Sequence, residues 1–132
     1  MIRALDISSS ALTAQRTRLD VIASNIANAE VTRQEDGTPV PYRRRLVTFT
    51  SGDGNGGPGV HVDAVQLDPS PFQTRYDPGH PDADTRGYVQ LPNVSLTMEY
   101  VDALVASRAY EANVAMMNVT RNMVQQAIRA LA

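Results

Sequence analysis

Cysteine is absent from the 132-residue chain, which excludes a disulfide framework, a thiolate nucleophile and a cysteine metal cluster. Lysine is absent too: all twelve basic residues are arginines, whose planar forks tolerate partly buried ion pairs better than an ammonium does. Against fourteen acidic residues the formal charge is −2, neither the basic excess of a nucleic-acid binder nor the acidic bias of a disordered tail. No run of about 18 apolar residues could span a bilayer. The opening MIRALDISSSALTAQR has no apolar core of signal-peptide length, so neither direct membrane insertion nor a cleaved secretory signal is expected. The length suits a single domain.

Glycine and proline are missing from both ends. All eight glycines lie between Gly37 and Gly87 and all eight prolines between Pro39 and Pro92, leaving 1–36 and 93–132 free of strong helix breakers. The pattern predicts an α+β chain: helices in 1–30 and 93–132, forming a discontinuous coiled-coil-like axial domain, and a Gly/Pro-rich β insert over 31–92.

In the first segment Leu5, Leu12, Leu19 and Ile26 recur at sevens, with Ile22 completing the stripe and Ile7, Ala14 and Val21 forming a thinner second row. The helix is predicted over 2–29. The last segment, capped at Asn93 or Ser95, meets no stop signal before Ala132. Tyr110, Val114, Met117, Val124, Ile128 and Leu131 fall on one face. Met98, Val101, Val105, Ala112, Met116, Val119 and Met123 fall on another, about 140° away. Some 37 residues at about 1.5 Å each make a rod of roughly 55 Å, whereas a compact globule of this length is roughly 36 Å across. One amphipathic partner helix cannot cover both faces, so the stripes are expected to be subunit interfaces, packed by other copies or other proteins. The competing expectation is a bent helix buried wholly in its own fold.

Within the insert, YRRRLVTF (42–49) and VHVDAVQL (60–67) read as strands of one hairpin around a glycine-rich tip. Arg43, Arg44 and Arg45 alternate strand faces and have no accompanying RNP-like aromatics, so no nucleic acid is expected as a partner. The stretch YDPGHPDADTRGYV (76–89) reads as a constrained structural turn built on Asp77, Pro78, Gly79, His80, Pro81, Asp82 and Asp84. The prolines push Asp77 and His80 toward extended geometry, and Gly79 can take positive φ. The rival reading is a small metal-dependent hydrolase or binding module using His61, His80 and the aspartates. Calcium-loop spacing, zinc-ligand spacing, a nucleophile elbow and a phosphate-cradling glycine loop are all missing, so neither cofactor nor catalytic residue is expected.

Together, ASNIANAE (23–30), PYRRR (41–45), DPSPF (68–72), YDPGHPDAD (76–84), GYVQLPNVSL (87–96) and ASRAYEANV (106–114) resemble the bacterial flagellar basal-body rod family. The resemblance covers nearly the whole chain. It implies terminal helices joined in a coiled-coil domain of a helical tube, placed in the proximal rod in the periplasmic space. It also implies export, unfolded, through the flagellar type III apparatus. The implied partners are further copies, other proximal rod proteins, the distal rod protein and the MS-ring side of the basal body. On the same basis Asn25 and Asn28 would fix the end of the first helix and its neighbour contacts. Ordinary helix-terminal amides are the alternative for each.

Overall fold

The computed structural model describes residues 2–132. The element order is α1 (Ile2–Ala27), β1 (Arg45–Ser51), β2 (Val60–Leu67), β3 (Gln73–Tyr76), β4 (Tyr88–Leu91) and α2 (Leu96–Leu131), an α+β architecture with two long helices flanking two two-stranded sheets. Helix α1 ends two residues before the expected Ala29 because Asn28 turns its side chain back: Nδ2 donates to the Ser24 carbonyl at 2.8 Å, alongside its own backbone bond to the same oxygen at 3.1 Å. At the start of α2 the Ser95 carbonyl accepts the first helical bond, from Glu99 N at 2.9 Å. Asn93, the other candidate cap, is used elsewhere.

The chain forms two compact units, and each takes part of both helices and part of the β1–β2 hairpin. The first holds α1 up to Asp20, Val47–Val65 and α2 from Ala103 onward. Its only fully buried apolar side chains, among the described residues, are Ala14 and Ala106. Ser10 ties α1 to the hairpin: its hydroxyl accepts from Val60 N at 3.1 Å while donating to the Ile7 carbonyl at 2.7 Å. The neighbouring Gly59 is at φ +133°, and a Cβ there would come within 2.5 Å of Ser10 Oγ. The hairpin tip is closed by Gly52 N donating to Gly59 O at 2.7 Å. Asp53 Oδ1 accepts from Asn55 N and Gly57 N, both at 2.8 Å. His61 Nδ1 meets the Gly52 carbonyl at 2.8 Å.

The second unit holds Val21–Leu46 and Gln66–Asp102. Strands β3 and β4 pair antiparallel, from Gln73 opposite Leu91 to Tyr76 opposite Tyr88. Along β4 exposed Tyr88 and Gln90 alternate with buried Val89 and Leu91, the pattern of a strand with one face in the core. Val94 and Ile22 complete that core.

The segment between β3 and β4 is tied together by hydrogen bonds among its own residues. His80 N donates to Asp77 O and Ala83 N to His80 O, each at 3.1 Å. Asp84 Oδ1 gathers the amides of Arg86 and Tyr88 at 2.8 and 2.9 Å. One detail differs from the sequence reading: the positive φ falls at Gly87 (+84°) and not at Gly79. Gly87 lets the chain turn back under Tyr76, and an added Cβ would lie 2.9 Å from Tyr76 Cε2 and 3.1 Å from Pro78 Cβ. Gly87→Ala is therefore expected to cost on the order of 1–3 kcal/mol through strain at positive φ. Gly79→Ala should cost less, because the nearest atom to a Cβ added there is Asp77 Oδ1 at 3.8 Å. Thermal unfolding of the two variants side by side checks the difference.

Candidate assembly surfaces and the polar lock

Stretches far apart in sequence meet in the second unit around two buried side chains, Asn25 and Glu99, each 1% exposed. Asn25 Nδ2 donates to Arg45 O at 2.9 Å and to Glu99 Oε2 at 3.4 Å. Asn25 Oδ1 accepts from the Tyr42 hydroxyl at 2.9 Å and from Arg45 N at 3.0 Å. Both ends of the amide are thus occupied inside the chain. Asn25 was expected among the subunit-interface residues; the structure buries it within its own subunit, where it holds the end of α1 to the segment entering β1.

Arg44 organises the carboxylates. Its Nε donates to Glu99 Oε1, its Nη1 to Asp68 Oδ2 at 3.2 Å and its Nη2 to Asp102 Oδ2 at 3.4 Å. Burial alone would pull the guanidinium pKa down, but hydrogen bonds and charge from Glu99 and Asp68 outweigh it, and the net direction is up. Asp68 is held below the usual carboxylate range, first by the Ser70 hydroxyl and amide on its Oδ1, at 2.6 and 2.8 Å, and then by Arg44. Asn93 closes the arrangement: Oδ1 accepts Arg44 N at 2.8 Å, and Nδ2 donates to the carbonyls of Asp68 and Ser70 at 3.2 and 3.0 Å. A second, smaller latch pins the loop after α1 to the turn. Thr32 Oγ1 donates to Asp82 Oδ2 at 2.7 Å and Arg33 Nη2 lies 2.5 Å from Asp82 Oδ1, which together hold the Asp82 pKa down.

These groups are engaged with one another and present no nucleophile–base pair to a cleft. The two histidines of the hydrolase reading lie in different compact units, and each spends Nδ1 on backbone: His61 against Gly52 O, and His80 accepting from Asp82 N at 3.0 Å. Among the described residues no group of three His, Asp or Glu side chains has metal-holding geometry.

The open surface lies on α2. Met98, Val101, Val105, Met116, Val119 and Met123 are each 49–57% exposed, so the chain leaves this whole stripe uncovered. The other predicted stripe divides: Met117 and Val124 are half-buried, Tyr110 and Val114 are on the margin, and Ile128 and Leu131 are open. A helix buried wholly in its own fold does not match these exposures. The least exposed side of α2 runs instead through Glu99, Ala106, Asn113, Met117, Thr120, Val124 and Ala127, a seam rich in small and polar residues. On α1, Ile22 is buried and Leu5, Leu12, Leu19 and Ile26 are half-buried, while Asn28 is engaged at the helix end.

A family profile described as flagella basal body rod protein matches residues 5–33, and one described as flagellar basal body rod FlgEFG protein C-terminal matches 85–130. The flagellar basal-body rod protein FlgC of Bacillus subtilis is 46% identical over 140 aligned positions, covering 94% of this chain and 93% of its own length. The FlgC proteins of Borreliella burgdorferi and of Escherichia coli are 40% and 42% identical, covering 99% and 93% of this chain and 97% and 92% of their own lengths. The chain belongs to the FlgC family of flagellar basal-body rod proteins.

It is a structural subunit and not an enzyme. The lock gives the family-like motifs of this FlgC-type chain a common physical purpose. Asn25 of SNIANA, Tyr42 and Arg44 of PYRRR, Asp68 and Ser70 of DPSPF and Asn93 of LPNV are all members of one hydrogen-bonded cluster. Sequence reasoning assigned no role to Glu99, Asp102 or Asp68. The available signal was slight: one acidic residue, Glu99, in the first turn of α2, and an arginine run in a chain without lysine.

Proposed function

We propose that this rod subunit works in the proximal rod, packing the exposed α2 stripe against neighbouring copies and other rod proteins. In that position it passes torque from the MS ring toward the distal rod and hook. The helical parts, 1–30 and 93–132, form the axial layer, and the insert 31–92 braces the next subunit. The chain reaches the periplasmic space through the flagellar type III apparatus. The observation that carries the reading is the continuous apolar surface from Met98 to Met123, left open by a single copy. Such a stripe is too long to be a scatter of ordinary surface hydrophobics. A non-closing contact between unlike surfaces would build a helical tube.

The distribution of buried groups supplies the test. Among the described residues the first unit fully buries only alanines, so its helical parts have little to hold them without neighbours, and isolated helices are marginal in water. Hydrogen exchange on dilute monomer should show fast exchange in 2–20 and 103–132, slow exchange around Val89, Leu91 and Val94, and slowing of the outer segments on assembly. Uniform protection of α2 in a dilute monomer would overturn the proposal.

A further inference from the structure

The second unit carries a groove of about 790 Å³ beside the last turn of α1. Its apolar lining includes Val31, Val40, Leu67 and Phe72, and Leu67 is 61% exposed. Arg43 and Arg45 line it as well, and among the described residues neither pairs with a carboxylate. Arg43 lies over the Phe72 ring at 4.3 Å with its Nη1 donating to the Asp68 and Ser70 carbonyls at 2.8 and 3.0 Å, and Arg45 lies over Tyr42 at 5.9 Å, so both guanidiniums are held in place with donors left over. Arg33, by contrast, is already matched by Asp82. Exposed Glu35 and Asp36 complete the lining.

The groove therefore asks for an occupant with apolar side chains, negative charge or partial charge to meet Arg43 and Arg45, and a cation to meet Glu35 and Asp36. The end of α2 has this combination. Leu131 and Ile128, 89% and 63% exposed, are the most open large apolar residues of that helix. The last-turn carbonyls are the negative end of the helix dipole and need donors. Arg129 is the basic residue of that turn and has no carboxylate partner among the described residues. We infer that the last turn of α2 from a second copy seats in this groove, with Ile128 and Leu131 against Val31, Val40, Leu67 and Phe72, and Arg129 facing Glu35 and Asp36. Groove and helix end are different surfaces of the chain, so the contact is heterologous, head to tail. The inference rests on the assembly reading above and adds which surfaces meet.

The absence of native cysteine makes the test clean. Two chains, one carrying Val40→Cys and the other Leu131→Cys, are expressed together, and basal bodies are isolated and mildly oxidised. Both positions are exposed, so folding is preserved. The expected result is a disulfide between the two variants, identified by its linked peptides, and its loss when Arg45→Glu is added to the Val40→Cys chain. A control pair, Thr85→Cys with Leu131→Cys, should give no such product. Basal bodies that contain both variants without the linkage, or that link Val40→Cys to a different protein, would overturn the groove assignment and leave the rod reading standing. Absence of the unmodified chain from basal bodies would sink both.

Discussion

Glu99→Ala should unfold the second unit far more readily than any change on the open helix faces. Removing one partner of a buried ion pair costs about 3–5 kcal/mol, because the remaining charge stays desolvated. Native domains have only about 5–15 kcal/mol in total. Here the loss would leave Arg44 short of its least exposed carboxylate and Asn25 Nδ2 short of an acceptor. At roughly 4 °C of melting temperature per kcal/mol, the drop is on the order of 10–20 °C. Glu99→Gln, which keeps an oxygen for Arg44, should fall between. Replacing Arg44→Met together with Glu99→Leu should recover part of the loss, since an apolar pair of similar volume leaves no charge unmatched. Thermal or urea denaturation of the soluble protein checks all three, and a Glu99→Ala shift of a degree or two would refute the lock. The lock and the second latch both contribute to the acid response. Asp68 and Asp82 are both held ionised below the usual carboxylate range, by Ser70 and Arg44 and by Thr32 and Arg33 respectively. The unfolded chain therefore takes up protons on these groups first as pH falls. Their stabilisation is fully present above about pH 4 and drains away at lower pH, through their depressed folded values.

The helices and the second strand were legible because each rests on a local signal. The breaker-free ends fixed α1 and α2 to within a few residues, and VHVDAVQL coincides with β2. Strand β1 begins at Arg45, three positions after the predicted Tyr42, for a reason that no local pattern contains. The Arg44 amide, just before the strand, is taken by the Asn93 side chain, so the hairpin ladder starts only at Arg45. Strand β3, QTRY, has every side chain exposed and thus no alternation to read; only its pairing with β4 makes it a strand. Counting large apolar residues does not locate the inward side of α2 either. Its tightest position is Ala106, and small side chains at such a seam admit a close neighbour while adding nothing to a hydrophobic stripe.

The lock was illegible for the same physical reason. Arg44 and Glu99 are 55 residues apart, and Asn25 and Glu99 are 74 apart. Each alone reads as a solvated polar residue, and only the fold brings one guanidinium among three carboxylates. What the sequence did disclose was surplus: more apolar helix surface than one chain can cover.

That surplus yields the opposite kind of defect at Val119. It stands mid-stripe between Met116 and Met123 and is 52% exposed, so Val119→Asp forfeits little packing inside the subunit. The melting temperature of the soluble protein should stay within the roughly ±0.5 kcal/mol band of ordinary surface substitutions. In an assembled rod the same carboxylate would be removed from water without a partner, a cost of several kcal/mol per ion, repeated in every copy. Swimming and rod assembly should therefore fail although the chain is still made and secreted. Val119→Thr, of similar shape and uncharged, should assemble at least partly. Motile Val119→Asp cells with normal basal bodies would show that this face meets no neighbour. A soluble Val119→Asp protein that had lost several kcal/mol would show that the stripe is already covered within the chain. Secretion intact, monomer stable and rod absent is the combination that only an intersubunit face produces.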